Sequence, residues 1–359
     1  MRRILLVATM ASVALASCVK DESVDLTQQA KKLSFEAPVM GTQSRAYYGE
    51  IQGGDYRTEE SFKVFAKQHK GALTNWETAE NFWSGALEAK YDATLEYWDT
   101  DTDYYWPNSD DNVWLSFGAY SPATLTGTNA AAEYSNKGLT ITDFEVSRDV
   151  AKQVDLMYSG PILNKKYTEA NDIDGVDIIF KHALTSIVFS AIDSDPNAKY
   201  TITSIKVNGK FITKGTFCEN LTAINASGTA DWTEKSGNDA PTEYILATGL
   251  TTVVGNANTV ITEKTSALLT IPHEETEMDD EATVTITYTV DPESGAADYD
   301  ATKTVKLADF KISSTTSITE WNLGYRYTYQ FNFGGTSKIY FKPTVAQWTD
   351  GGTATLTIQ

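Results

Sequence analysis

The sequence predicts an all-β protein built of β-sandwiches, and three observations carry that expectation. Apolar residues recur at every second position in "ATVTITYTV", where Val284, Ile286, Tyr288 and Val290 alternate with threonines. They do so again in "GYRYTYQFNF", where Tyr325, Tyr327, Tyr329, Phe331 and Phe333 share one side. A period of two sends alternate side chains to opposite faces of a strand, one buried and one wet. Gly, Asn, Asp and Ser cluster between such runs, as in "DPESGAADYD", while helix signals are scarce. Finally, 359 residues with 41% hydrophobic and 11% aromatic content suit about two packed domains.

Taken from the N-terminus, the first element is an export signal. Arg2 and Arg3 precede an apolar run from Ile4 to Ala16. That run is shorter than the roughly 20 residues a membrane-spanning helix needs, and a basic start with small residues at a break marks residues 1–17 as a signal peptide. Leu15-Ala16-Ser17-Cys18 looks like a bacterial lipobox, which makes Cys18 the lipidation residue and outer-membrane lipid a partner of the precursor. Each acyl chain would contribute ~0.8 kcal/mol per buried CH₂. Val19-Lys20-Asp21-Glu22 resembles the surface-export signal of Bacteroidetes lipoproteins.

The next element is a one-sided strand. In "KLSFEAPVM" Leu33, Phe35, Ala37 and Val39 alternate with Ser34, Glu36 and Pro38. A different texture follows: Trp76 to Phe117 holds five of the eight tryptophans, with acids between them. Asp99, Asp101 and Asp103 begin like a calcium loop, but Tyr104 stands where such a loop needs Gly and Asp110 where it needs a bidentate carboxylate. A solvated acidic loop is the expectation there, with no metal. Trp98, Tyr104, Tyr105 and Trp106 read either as a sugar-stacking platform or as core and rim packing.

A domain boundary is expected near 171–176, in the polar "EANDIDG", dividing 46–175 from 176–359. "DIIFKHALTSIVFSA" opens the second strand-rich region. In "TITSIKVNGKF" Ile202, Ser204 and Lys206 alternate against Thr203, Ile205 and Val207, and a hairpin turn is expected at Asn208-Gly209. Cys218, beside Phe217, is expected to be a buried thiol without a disulfide partner or zinc cluster. The last element, "TATLTIQ" (353–359), sets Ala354, Leu356 and Ile358 against three threonines.

Both chain ends are therefore one-sided strands. A strand missing from a sandwich leaves an apolar groove edged by unpaired backbone groups, which another chain's strand can fill. The residues leave open whether each end completes its own sandwich or the C-terminal strand is donated. The net charge of −19 argues against nucleic acid as a partner, since phosphates need Lys and Arg. His69, His182 and His273 are the only histidines and lie in no nucleophile or metal motif, so no catalysis and no cofactor are expected. His182, inside an apolar run, reads as a hydrogen-bonded structural residue.

"YYWP" (104–107), "LSFGAYSP" (115–122), "VDLMYSG" (154–160), "FKHALTSIVF" (180–189), "WNLGYRYTY" (321–329) and "VAQW" (345–348) together resemble the fimbrillin-like proteins of Bacteroidales, subunits of the type V pilus. The resemblance implies two tandem transthyretin-like β-sandwich domains, no enzymatic activity, export as a lipoprotein to the cell surface, and polymerisation with other pilus subunits by strand exchange. It also implies an arginine-specific protease that cuts between Arg45 and Ala46, removing residues 18–45 with the strand of Leu33, Phe35, Ala37 and Val39. Ala354, Leu356 and Ile358 would then belong to the donor strand. A lipid-retained anchor, a tip subunit and a glycan-binding surface lipoprotein are the alternatives.

Overall fold

The computed structural model describes residues 31–39, 54–55, 60–94, 97–107, 112–167, 175–262, 266–311, 317–334 and 349–358, with backbone alone at 38–39, 54–55 and 349–358. The strands are, in order, β1 (Phe35–Glu36), β2 (Pro38–Val39), β3 (Gly54–Asp55), β4 (Phe62–Lys70), β5 (Glu80–Asp92), β6 (Tyr97–Thr100), β7 (Val113–Ser121) and β8 (Ala131–Ser135). Then follow β9 (Gly138–Glu145), β10 (Met157–Lys165), β11 (Val176–Asp177), β12 (Phe180–His182), β13 (Thr185–Asp193), β14 (Ala198–Gly209), β15 (Lys214–Cys218) and β16 (Asp231–Ser236). The last seven are β17 (Thr242–Val253), β18 (Thr259–Val260), β19 (Leu268–Thr270), β20 (Thr283–Pro292), β21 (Tyr299–Lys306), β22 (Tyr325–Phe333) and β23 (Thr349–Ile358). The fold is all-β, as the sequence predicts.

Ten strands make one sheet, in the order β11-β1-β6-β5-β4-β7-β10-β12-β2-β3. Its two ends meet. β1 and β2 belong to one stretch of chain and β11 and β12 to another, and the two stretches run parallel, with Phe35 opposite Val176 and Val39 opposite Phe180. The sheet therefore curls on itself around a core that includes Phe35, Phe62, Phe117, Met157 and Phe180. Residues 33–39 are the stave that completes the curl.

The outer face of this sheet is covered by a four-stranded sheet, β16-β15-β9-β8. Tyr120 and Tyr158 from the curled sheet meet Tyr134, Phe217 and Trp232 from the cover in a second core. Gly118 is required here, because a Cβ at that position would stand 2.1 Å from the Tyr134 ring. Glu219, just past β15, is buried in this layer and accepts a hydrogen bond from the Leu139 N–H at 3.0 Å.

A third core lies between two further sheets, β18-β13-β22-β23 and β17-β14-β20-β21, with β19 also paired to β13. The alternations that announced β20 and β22 hold: Val284, Ile286, Tyr329 and Phe331 are fully buried here, and Tyr288, Val290, Tyr327 and Phe333 lie with them. In β14 the two alternating sets merge instead. A register shift between Ile202 and Ser204 brings Ile202 onto the same buried face as Ile205 and Val207, the change of phase that a bulge produces.

The expected hairpin at Asn208-Gly209 does not form. β14 runs through both residues, pairing Asn208 with Glu243 and Thr283, before the chain crosses to another sheet as β15. Gly209 serves close packing rather than a turn: a Cβ there would lie 2.7 Å from Phe211 and 2.9 Å from Ala282. Cys218 is a free thiol but only half-buried, because strand alternation turns Phe217, not Cys218, into the core.

Candidate strand-exchange site

The stave at 33–39 is held by apolar burial, backbone ladders and one ionic clasp. Leu33, Phe35 and Ala37 are all buried. The Phe35 ring meets Phe62 and Phe117 edge to face, with centroids 6.1 and 5.8 Å away. Burying side chains of this size contributes roughly 1.5–3 kcal/mol each. Among the described side chains at the alternate positions, Glu36 is exposed while Ser34 is also buried, so the stave turns a wet face outward there only at Glu36.

Backbone bonds fasten both edges of the stave. On one side the Leu33 N–H donates to the Tyr104 carbonyl at 2.7 Å, the Trp106 N–H donates to the Lys31 carbonyl at 2.9 Å, and Phe35 faces Trp98 in an antiparallel pair. On the other, the Val176 N–H donates to Ser34 at 2.9 Å and the Ile178 N–H to Glu36 at 2.7 Å. Removing the stave would leave these donors and acceptors, and the apolar floor beneath them, without partners.

The ionic clasp went unnoticed in the sequence. The Lys32 ammonium sits on the carboxylates of Asp99 and Asp103, the latter 2.7 Å away. The hydrogen bonds it donates to Asp103 and Asp99 raise its pKa above the ordinary 10.5. The acidic triplet is thus not a simple solvated loop, for two of its carboxylates already hold a cation, and Asp101 pairs with Lys90 at 3.3 Å. Basic Lys31-Lys32 before an alternating run, set against an acidic triplet, was the available signal.

At the other end of the chain, β23 lies at the edge of its sheet, parallel to β22. Ala354, Leu356 and Ile358 stand opposite Tyr329, Phe331 and Phe333 in register. Cys18, Arg45 and Ala46 lie outside the described residues, and for Val39 only the backbone position, opposite Phe180 and Gly54, is described.

The remaining candidates become structural. Trp98 and Trp106 are each only 6% exposed, so neither ring offers a face for stacking on a sugar, while Tyr105 points outward. His182 Nδ1 stands 2.9 Å from Asp155, a buried structural pairing as expected. His273 donates from Nδ1 to the Ile271 carbonyl at 2.7 Å, and its Nε2 accepts from the Ile212 N–H at 3.0 Å. That geometry needs the neutral ring, and burial lowers its pKa to about 4. Among the described residues no group of three or more His, Cys, Asp or Glu is placed to hold a metal.

His182 and His273 are thus buried in structural hydrogen bonds, Trp98 and Trp106 are packed in the core, and strands near both chain ends are seated in sheets. Residues 44–348 match the family model described as fimbrillin-like, and the chain belongs to that family, whose members are structural, non-catalytic proteins of the cell surface. Among solved structures it is similar to a candidate cell adhesion protein of Bacteroides uniformis, at 15% identity over 84% of this chain and 92% of that one, with a TM-score of 0.42. A candidate cell adhesion protein of Bacteroides ovatus is similar at 12% identity over 84% and 92% (TM-score 0.41). One of Parabacteroides distasonis is similar at 16% over 84% and 88% (TM-score 0.36). No curated protein matched the chain.

Proposed function

We propose that this chain is a structural subunit of a cell-surface pilus, exported as an outer-membrane lipoprotein through Cys18 and trimmed between Arg45 and Ala46 by an arginine-specific protease. Trimming frees the stave of Leu33, Phe35, Ala37 and Val39. The strand of Ala354, Leu356 and Ile358 from another subunit then fills the vacated groove, and repetition builds the polymer. Two tandem transthyretin-like sandwiches, divided near 171–176, belong to the same reading, with β11, β12, β15 and β16 crossing back to join sheets of the first.

One observation carries it: residues 33–39 close a curled sheet whose core is otherwise made by later strands, so their removal exposes a strand-shaped apolar groove. Treating the purified full chain with an arginine-specific protease should yield a ladder of stable oligomers on a native gel. A product cut at Arg45 that stays monomeric would count against the proposal.

The Lys32 clasp favours a second reading, a lipid-retained anchor that keeps its first strand. The N-terminal residue found in the native assembly separates the two, being Ala46 for a trimmed subunit and Cys18 for an anchor.

A further inference from the structure

We infer that the incoming C-terminal strand of a second copy runs in the direction opposite to the stave it replaces, with Ile358 at the Leu33 position, Leu356 at the Phe35 position and Ala354 at the Ala37 position. This rests on the strand-donation reading above and adds the polarity and register of the exchange.

Hydrogen bonding does not choose the direction. The stave is antiparallel to β6 and parallel to β11, so a reversed strand exchanges one kind of ladder for the other on each side. The outward positions do not choose it either, because Thr353, Thr355 and Thr357 are alike. Side-chain volume does. From N to C the buried positions of the stave read Leu33, Phe35, Ala37, whereas the apolar positions of the donor sequence read Ala354, Leu356, Ile358.

Entered in the same direction around Leu356, the donor leaves the Leu33 site underfilled by Ala354. It also forces Ile358 into the site of Ala37, which is only 3% exposed. Both errors are destabilising in a close-packed core. Moving the donor so that Ala354 meets Ala37 in that direction puts Gly352 at Phe35, abandoning the contacts with Phe62 and Phe117. Reversed, Ala354 replaces Ala37, Ile358 replaces the equal-sized Leu33, and Leu356 enters the wide aromatic site of Phe35. Reversal leaves two mismatches, a ring exchanged for a smaller side chain at Phe35 and Gly352 at the Val39 end of the stave, and keeps the other two positions matched.

Cysteine pairs test this directly, because Glu36 and Asp177 are exposed cross-strand partners. A reversed donor places Thr355 opposite Asp177, and a same-direction donor places Thr357 there. With Cys218→Ser as background and the chain cut after Arg45, Thr355→Cys/Asp177→Cys should give a covalent ladder on a non-reducing gel. A ladder from Thr357→Cys/Asp177→Cys instead, or polymers that cross-link in neither pair, overturns the inference. Volume variants supply a second readout: Ala354→Leu and Ile358→Ala should each slow assembly by about tenfold or more, since they overfill and underfill matched sites. If either assembles faster than the parent, the same-direction arrangement holds. Failure of the cut parent to assemble at all would instead defeat strand donation itself.

Discussion

Phe35 and Phe117 meet edge to face, their centroids 5.8 Å apart, across a core that β1 closes and β7 floors. That contact ties the stability of the uncut protein to a segment the proposed maturation discards.

Phe35→Ala should destabilise the uncut chain by about 3–5 kcal/mol, the usual cost of truncating a buried phenylalanine. Urea unfolding followed by tryptophan fluorescence measures it. After cleavage at Arg45 and loss of the stave, variant and parent should unfold alike, and a difference that persists would show that the stave stays in place.

Lys32→Met should loosen the cut stave without unfolding the body, because Asp99 and Asp103 lose the ammonium between them. The Lys32 pKa is raised in the folded state, so the clasp is complete below pH 10.5 and fades as pH climbs through the higher folded value. Release of the cleaved N-terminal fragment, timed by gel filtration, should be faster in the variant. On the alkaline side, release in the parent should accelerate only as pH climbs past 10.5.

Glu219 and His273 pull the pH dependence of stability in opposite directions. Burial raises the Glu219 pKa to about 7 from 4.5, so its contribution is largest below pH 4.5, declines as pH rises to 7, and is flat beyond. Lys181 and the Leu139 N–H act against that rise, and Tyr134 and Tyr158 also face this carboxylate. Burial lowers the His273 pKa to about 4 from 6.5, so its contribution is complete above pH 6.5 and lost on acidification towards pH 4. Between pH 4.5 and 6.5 the two slopes oppose each other. Glu219→Gln should therefore make stability fall on acidification through this window, and His273→Gln should make it rise, each by roughly 2–3 kcal/mol overall. Denaturation midpoints across that range decide it, and parallel profiles for parent and variants would refute both assignments.

Gly209→Ala should cost about 1–3 kcal/mol, since the new methyl would press on the Phe211 ring and Ala282. A thermal melt suffices. An unchanged midpoint would mean that Phe211 can move aside freely.

These residues also show how far the sequence could be read. β20 and β22 were legible because each strand sets its large apolar side chains on one buried face, which leaves a period-two trace in a few adjacent residues. In β22 the opposite face is buried too at Gln330 and Asn332, but by polar side chains that keep the trace. Asn208-Gly209 misled, because a glycine chosen for a neighbouring ring looks the same as one chosen for a turn. Ile202 fell out of phase because a bulge erases the period locally. The stave was visible as a strand, but its parallel partner at 176–182 was not, for no local pattern records which distant segment lies alongside. Lys32 was hidden for the same reason: a charge pair across the fold is a fact of topology. Trp98 and Trp106 could be weighed as platform or core only once their burial was known.

The closure of the curled sheet has a consequence in time. The stave is the first described strand to be synthesised, yet its parallel ladder needs Val176 and Ile178, which follow only after nearly half the chain. Until then, the nascent chain cannot complete this core, and such non-local pairing is slow even once all its parts are present. A chain exported as proposed above, threaded through a membrane before it folds, would gain from that delay. The last-formed joint would keep the newborn chain open, and the same joint would be the first to be undone at the surface.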